Sequence, residues 1–453
     1  MKILLIRPAK EKLTLDSRSY KKRLGEKHQP LGLMYLAAVL AKAKHEISIS
    51  DELVGDISED LITSYDPDII GITVSTPMMG RAKELSSFAK RKEKKTLLGG
   101  PHVSAIPVKV LEESDADIAV FGEGENTILD ICSEKELDKI DGITYKNTDG
   151  SIKKNNPRAP IEDLDALPFP SREHIDLPRY IESEFELGFP LKKGDTLMRM
   201  FSSRGCPYLC TFCASHNVFG RKFRTRSIDN IIEEMKFLID KYGYKNFVFM
   251  DDHFALKNER VVQFCENVLE KLPKVRWLCS ARADISPSTL RLMKKAGCEM
   301  ISFGVESGSE KILRAVKKKM NLDTIRETFQ VCHKIGIRTK TTWIIGVPGE
   351  DEDDFQRTVK FACEINPNYI WVSMFYPFPG TEAYKQLLEQ KGEVDTESMS
   401  YFHSNDPVIQ RRHREFLRRF HIRFGFLKNV LFNLSFAEKY DLFRMAKAYI
   451  FMK

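Results

Sequence analysis

Residues Cys206-Pro-Tyr-Leu-Cys210-Thr-Phe-Cys213, led in by Ser203-Arg204-Gly205, set three thiols in a C-x3-C-x2-C spacing. Three thiolates this close on one loop can hold three irons of a cubane cluster. A structural [4Fe–4S] cluster takes four cysteines, so a trio without a nearby fourth leaves one iron open to bind something else. Zinc is the competing metal, but a structural zinc site also closes with four ligands. The tight spacing and the Gly and Pro flanks argue against three ordinary buried thiols.

Short apolar runs lie on both sides of this loop. Downstream, strands are expected over Leu197-Met-Arg-Met-Phe-Ser202, Phe247-Val-Phe-Met, Val275-Arg-Trp-Leu-Cys-Ser280, Met300-Ile-Ser-Phe-Gly304, Thr339 to Gly346 and Tyr369 to Phe375. Ile228 to Tyr242 reads as an amphipathic helix with Ser227 or Asp229 as cap. Six strands with helices between them predict an open, partial (β/α)6 barrel of the TIM type, whose active groups belong at the carboxyl ends of the strands. Asp251 and Asp252 stand at one such end, where they could accept hydrogen bonds from an ammonium group. Glu306 could accept from ribose hydroxyls, and Gly346 and Gly349 would let a flat base approach the backbone.

Upstream, Ile3-Leu-Leu-Ile6, Ile47 to Asp51, Pro67 to Ser75, Thr96 to Gly100 and Asp117 to Gly122 alternate with helical stretches, one of them opening at Pro30. This pattern predicts an α/β, doubly wound, Rossmann-like parallel sheet, which binds ligands at its strand ends. Those ends carry Ser75-Thr76-Pro77, Gly99-Gly100-Pro101-His102 and Gly122-Glu123-Gly124-Glu125. Asp149-Gly150 marks a hairpin, and the Pro-rich stretch 157–170 a linker. The expected organisation is a first domain over 1–140, a connector over 141–195, a barrel over 196–390 and a basic helical segment over 391–453.

CPYLCTFC resembles the CxxxCxφC signature of the radical S-adenosylmethionine (SAM) superfamily, with Phe212 as φ. PLGLMYLAA, GGPHVSAIP and FGEGE resemble the cobalamin (B12)-binding domain fused to many of its members. The resemblance implies that Cys206, Cys210 and Cys213 ligate the [4Fe–4S] cluster and that SAM chelates its open iron. An electron then cleaves SAM to methionine and a 5′-deoxyadenosyl radical, which takes hydrogen from substrate. By order and spacing it assigns Phe212, Asp251, Asp252, Arg282, Gly304, Glu306, Ser307, Gly346 and Gly349 to SAM. It assigns Ser75, Thr76, Gly99, Gly100, His102, Gly122, Glu123 and Gly124 to cobalamin. The cobalt-ligating D-x-H-x-x-G of the mutases and methionine synthase is absent from the sequence.

Methylation of an unactivated carbon of a small-molecule or lipid-like substrate is the expected reaction, a second SAM methylating Co(I). The alternatives are cobalamin-linked cyclisation or rearrangement, and a cobalamin sensor or carrier with an inert barrel. A methylthiotransferase would need a second cysteine cluster upstream, where only Cys132 lies. A flavodoxin or ferredoxin is the expected electron donor.

No run of eighteen apolar residues occurs, so no spanning helix is expected. MKILLIRPAK reads as a first strand and not a signal peptide. The nine cysteines show no disulfide pattern, which suits a reducing, cytoplasmic setting. Net charge is +7, and residues 410–453 hold eleven Lys/Arg against three Asp/Glu. That segment interleaves Phe416, Phe420, Phe424, Phe426, Leu427, Leu431, Phe432 and Phe436 with the basic residues. It predicts either a cap on the barrel or a peripheral contact with an anionic membrane. No nucleic-acid motif accompanies the charge, so no nucleic-acid partner is expected.

Overall fold

The computed structural model describes residues 1–9, 28–180, 197–392 and 406–423. Seven strands form the first sheet: β1 (Lys2–Arg7), β2 (Glu46–Asp51), β3 (Ile69–Thr73), β4 (Lys95–Gly99), β5 (Ile118–Val120), β6 (Ile143–Lys146) and β7 (Ile152–Lys154). Their order is β2-β1-β3-β4-β5-β6-β7. The first five run parallel, while β6 and β7 join antiparallel. The hairpin expected around Asp149-Gly150 therefore extends this sheet.

Alternation along β1 explains why both faces are covered. Ile3 and Leu5 pack with Leu33, Ala37 and Leu40 of the helix Leu31–Lys42. Leu4 and Ile6 turn the other way, onto Met79, Ala82 and Leu85 of the helix Met79–Arg91. All four strand residues are fully buried, and each such side chain contributes about 1.5–3 kcal/mol. An all-apolar tetrapeptide is what a strand buried on both faces requires.

The second sheet holds β8 (Met198–Met200), β11 (Asn246–Phe249), β12 (Arg276–Ala281), β13 (Cys298–Glu306), β14 (Arg338–Ile345) and β15 (Tyr369–Met374). Its order is β15-β14-β13-β12-β11-β8, with every described pairing parallel. β8 and β15 are the two edges, so the barrel is open. The helix Ile228–Tyr242 starts where Ser227 accepts a hydrogen bond from the Asn230 N–H. It ends at Gly243, whose φ of 72° is left-handed. Ile231, Ile232, Met235 and Leu238 face the core at helical spacing. A short antiparallel pair, β9 (Ser203–Arg204) and β10 (Arg224–Thr225), stands apart from both sheets.

The two sheets are tied together. The Gln29 side-chain amide donates to the Leu197 carbonyl at 2.9 Å and accepts from the Arg199 N–H at 3.1 Å, reading β8 as a neighbouring strand would. Arg172, just after the Pro-rich stretch, donates to the carbonyls of Pro170 and Arg199 and to Glu234.

Asp406 caps the helix Pro407–Ile422. Its Phe416 and Phe420 are fully buried in the barrel core, and Phe416 packs on Trp343. Arg411, Arg414 and Arg418 line its exposed face. The rest of the basic segment, from Phe424 on, lies outside the described residues, as does 181–196. Among the described residues no helix is long and apolar enough to cross a membrane.

Candidate active site at the barrel mouth

The cysteine loop spans 205–223, between β9 and β10, whose register Arg204↔Arg224 and Ser203↔Thr225 pins its two ends. Gly205 opens it at φ +84°, and a Cβ there would stand 2.3 Å from the Lys222 carbonyl oxygen. Only glycine fits this crossing. The Thr211 N–H donates to the Val316 carbonyl at 3.1 Å, and the Thr211 carbonyl accepts from the Ala383 N–H at 3.0 Å. The loop is thus fastened to the far side of the barrel.

Cys206, Cys210 and Cys213 are free and half-buried. Burial pushes the Cys206 and Cys210 thiols up, and the Lys318 ammonium opposes that rise at both. Among the described residues no three His, Cys, Asp or Glu side chains converge on a point suited to one metal ion. A cubane asks for something else, since its three thiolates bind three different irons. Three free, half-buried thiols on one loop supply one sulfur to each of three irons, which is the donor set a cubane with one open iron takes.

Asp251 and Asp252 follow β11 and differ in state. Asp251 is buried, and its oxygens accept from the Ser202 N–H at 2.7 Å, the Ser202 hydroxyl and the Ser203 hydroxyl at 2.6 Å. It anchors the approach to the cysteine loop through these three bonds. Asp252, by contrast, is exposed to solvent. Desolvation there, with the Asp251 charge beside it, raises its pKa to about 6. Of the two, Asp252 is the carboxylate open to an incoming ammonium. His253 is buried, stacks on Tyr208 and is held neutral by desolvation, with a pKa of about 4.

Glu306 ends β13 at φ +70°, beside a register shift against β14. Its carboxylate accepts from Lys318 Nζ at 3.1 Å and from the Thr342 hydroxyl at 3.2 Å. A Cβ on Gly304 would stand 2.6 Å from Glu306 Oε1 and 2.7 Å from Lys318 Nζ. Gly304 makes room for the pair. Ser307 is fully buried against the Thr358 hydroxyl at 2.9 Å. Arg282 donates to the carbonyls of Lys318 and Lys319 at 2.8 and 2.6 Å and stacks on Tyr208, 4.0 Å from the ring centre. Its guanidinium braces the cysteine loop from behind.

Phe212 packs with Ile344, Val347 and Phe375, at the ends of β14 and β15. An apolar seat thus joins the cysteine loop to the Gly346–Gly349 turn. Gly346 itself is backed by Ile409 of the C-terminal helix, and its N–H donates to Glu350 Oε2 at 2.7 Å. Two residues missed by sequence reasoning belong here. Lys318 sits in a run of three lysines, with nothing to mark which one turns inward. Glu350 has a buried carboxylate whose pKa desolvation lifts to about 7, with Arg412 at 3.6 Å.

In the first sheet, Ser75, Gly99, Gly100, Gly122 and Gly124 are half-exposed at or beyond the ends of β3, β4 and β5. A side chain on Gly122 would meet nothing within 4 Å, so the cradle these turns form is open there, whereas one on Gly100 would crowd Thr73 Oγ1 and the Val74 backbone at 3.0 Å. Thr76 and His102 are buried below it, with Thr76 Oγ1 3.1 Å from His102 Nδ1. Glu123 is buried too, and its carboxylate is taken up by Arg204, Arg224 and the Ile161 N–H.

A half-barrel whose first strand leads into a three-thiol loop follows a parallel sheet whose strand ends carry glycine-rich turns. Residues 200–362 match the radical SAM superfamily, and residues 18–131 match the B12 binding domain. A protein of Pyrococcus horikoshii named as an uncharacterized methyltransferase is 30% identical over 95% of this chain and 94% of its own length. The anaerobic magnesium-protoporphyrin IX monomethyl ester cyclase of Rubrivivax gelatinosus is 27% identical over 82% of this chain and 68% of its own. The radical SAM methyltransferase TsrM of Kitasatospora setae, solved with cobalamin and a [4Fe–4S] cluster, shares the fold. Its TM-score is 0.69 at 18% identity, covering 90% of this chain and 78% of that one. The chain belongs to the radical SAM superfamily, in the branch that carries a B12-binding domain ahead of the barrel. Its cofactors are a [4Fe–4S] cluster, SAM and cobalamin.

Proposed function

We propose that the chain methylates an unactivated carbon of a small-molecule or lipid-like substrate. The observation that supports this most is the likeness to the Pyrococcus horikoshii protein, named as a methyltransferase and matched through both halves of this chain. Bound together, the cluster and SAM supply a carbon-centred radical and cobalamin supplies the methyl group; the protein orients and shields. Cys206, Cys210 and Cys213 hold three irons. Asp252 receives the SAM ammonium, Glu306 the ribose, and the seat of Phe212, Ile344, Val347 and Phe375 the adenine. Ser75, Gly99, Gly100, Gly122 and Gly124 offer backbone to the corrin. The working division is a cobalamin domain over 1–140, a connector to 195, a barrel to 390 and a C-terminal segment beyond.

The likeness to a cyclase favours a second reading, carbon–carbon bond formation without methyl transfer. Product mass separates the two. Source-cell extract incubated anaerobically with reconstituted protein and methyl-deuterated SAM should yield a product carrying one labelled methyl group. A new product without the label would replace methylation by cyclisation or rearrangement.

A flavodoxin or ferredoxin supplies the electron, and the exposed Arg411, Arg414 and Arg418 supply a basic face. The same face supports a peripheral contact with anionic lipid. Salt-sensitive cosedimentation with anionic vesicles tests it; no binding at low salt would discard the membrane contact.

A further inference from the structure

The turn after β5 carries two glutamates that the open cradle does not use. Glu123 and Glu125 are 6% and 5% exposed. Both carboxylates point away from the sheet edge, toward the cysteine loop. Arg204 Nη1 lies 3.0 Å from Glu123 Oε1, and its Nη2 lies 2.6 Å from Glu125 Oε1. Arg224, directly opposite Arg204 in the β9–β10 ladder, donates to Glu123 at 2.9 Å and to the Ile161 carbonyl at 2.6 Å. The Ile161 N–H closes the circle onto Glu123 Oε2 at 2.7 Å. Tyr35 and Phe219 flank the Arg204 guanidinium, with ring centres 5.2 and 5.1 Å away.

Two buried arginines and two buried glutamates balance in charge. Each ion has at least one charged partner within hydrogen-bond distance, as buried ions require, although Arg224 Nε is left without one. The geometry is directional, because a guanidinium that spans two carboxylates fixes position as well as distance. At one end the network holds Gly122 and Gly124, the backbone edge of the cradle. At the other it holds Arg204, two residues before the first thiol. The ion pairs join the two platforms directly.

We propose that Arg204 is a positioning residue that couples cobalamin occupancy of the first domain to the order of the cysteine loop. Ligand at the Gly122–Gly124 edge steadies the Glu123–Glu125 turn, and the turn steadies the loop through Arg204. By linkage the coupling is reciprocal, so a filled loop tightens the cobalamin edge in return. The proposal rests on the cobalamin reading given above.

The test is hydrogen exchange across residues 203–215 in the full, cluster-loaded chain, with and without hydroxocobalamin. Wild type should show exchange slowed by about fivefold or more on adding cobalamin, the lower end of coupling between linked sites. Glu125→Gln removes one ion pair and leaves Arg224–Glu123 intact. It should still bind cobalamin but lose most of that slowing. Arg204→Lys, which keeps the charge but cannot span two carboxylates, should fall between. Equal slowing in wild type and Glu125→Gln would overturn the proposal, as would a wild-type loop indifferent to bound cobalamin. A wild-type chain that loads iron yet binds no cobalamin would overturn the cobalamin reading and this proposal together.

Discussion

Lys318 Nζ lies 3.1 Å from Glu306 Oε1, and the two side chains are only 10% and 9% exposed. The pair sits where β13 ends, close enough to the cysteine loop for its charges to act on the Cys210 thiol in opposite senses. Glu306 holds a left-handed backbone that a non-glycine residue adopts at a cost, and such strain gathers at working sites. Lys318→Met would strand a buried carboxylate with the Thr342 hydroxyl as its remaining partner. A loss of about 3 kcal/mol in urea unfolding is expected, the usual size for breaking a buried pair. Adding Glu306→Gln should recover part of it; no recovery would show that the lysine stem, not its charge, matters.

Gly205 and Gly220 bracket the cysteine loop, both with positive φ, yet they differ in surroundings. A Cβ on Gly205 meets backbone at 2.3 Å, whereas one on Gly220 meets nothing within 4 Å. Gly220→Ala should cost about 1 kcal/mol through backbone strain alone. Gly205→Ala must also part β9 from the Lys222 backbone, and should abolish iron uptake during reconstitution. Iron analysis of the two variants decides it; equal, full iron content would contradict the account.

Asp252 should make SAM binding pH-dependent. Its folded pKa of about 6 lies above the ordinary carboxylate range, so the carboxyl is neutral below that pH and cannot meet an ammonium as an ion pair. SAM affinity should fall as pH drops through 6. The sign for stability is opposite. A raised carboxylate pKa means the folded chain bears a destabilised charge at neutral pH, a cost that begins to shrink as pH falls through 6 and is gone below the unfolded value of about 4. Asp252→Asn should therefore raise the melting temperature of cofactor-free protein at pH 7.5 while weakening SAM binding. Lower stability together with unchanged SAM affinity would remove Asp252 from the site.

Much of this was legible in the sequence. The cysteine spacing, all six barrel strands and the five parallel strands of the first sheet follow from apolar runs and turn residues. Side-chain direction was not legible. Asp251 and Asp252 are adjacent, and only the exit path of β11 decides which one binds Ser202 and which meets solvent. In sequence, Glu123 is one turn with its glycine neighbours and carries no mark of a separate partner. Its arginine partners lie about eighty and a hundred residues downstream, beyond any local pattern. Lys318 finds Glu306 only because β13 and the following turn fold back on each other.

His102 bears on cobalt. It is the only histidine in the three turns, and it is buried against Thr76. With no D-x-H-x-x-G in the sequence, cobalt should carry no histidine on its lower face. Electron paramagnetic resonance of the cobalt(II) protein should lack a nitrogen superhyperfine triplet. A triplet that disappears in His102→Ala would reverse this.

Cys206, Cys210 and Cys213 should together hold a cluster that cleaves SAM. The direct measurement is 5′-deoxyadenosine released from SAM under reduction by anaerobically reconstituted protein, wild type against the triple Cys→Ala variant. Wild type should release it, and the variant should lose both the near-visible iron–sulfur absorption and the cleavage. A triple variant that keeps its cluster and still cleaves SAM would contradict the account.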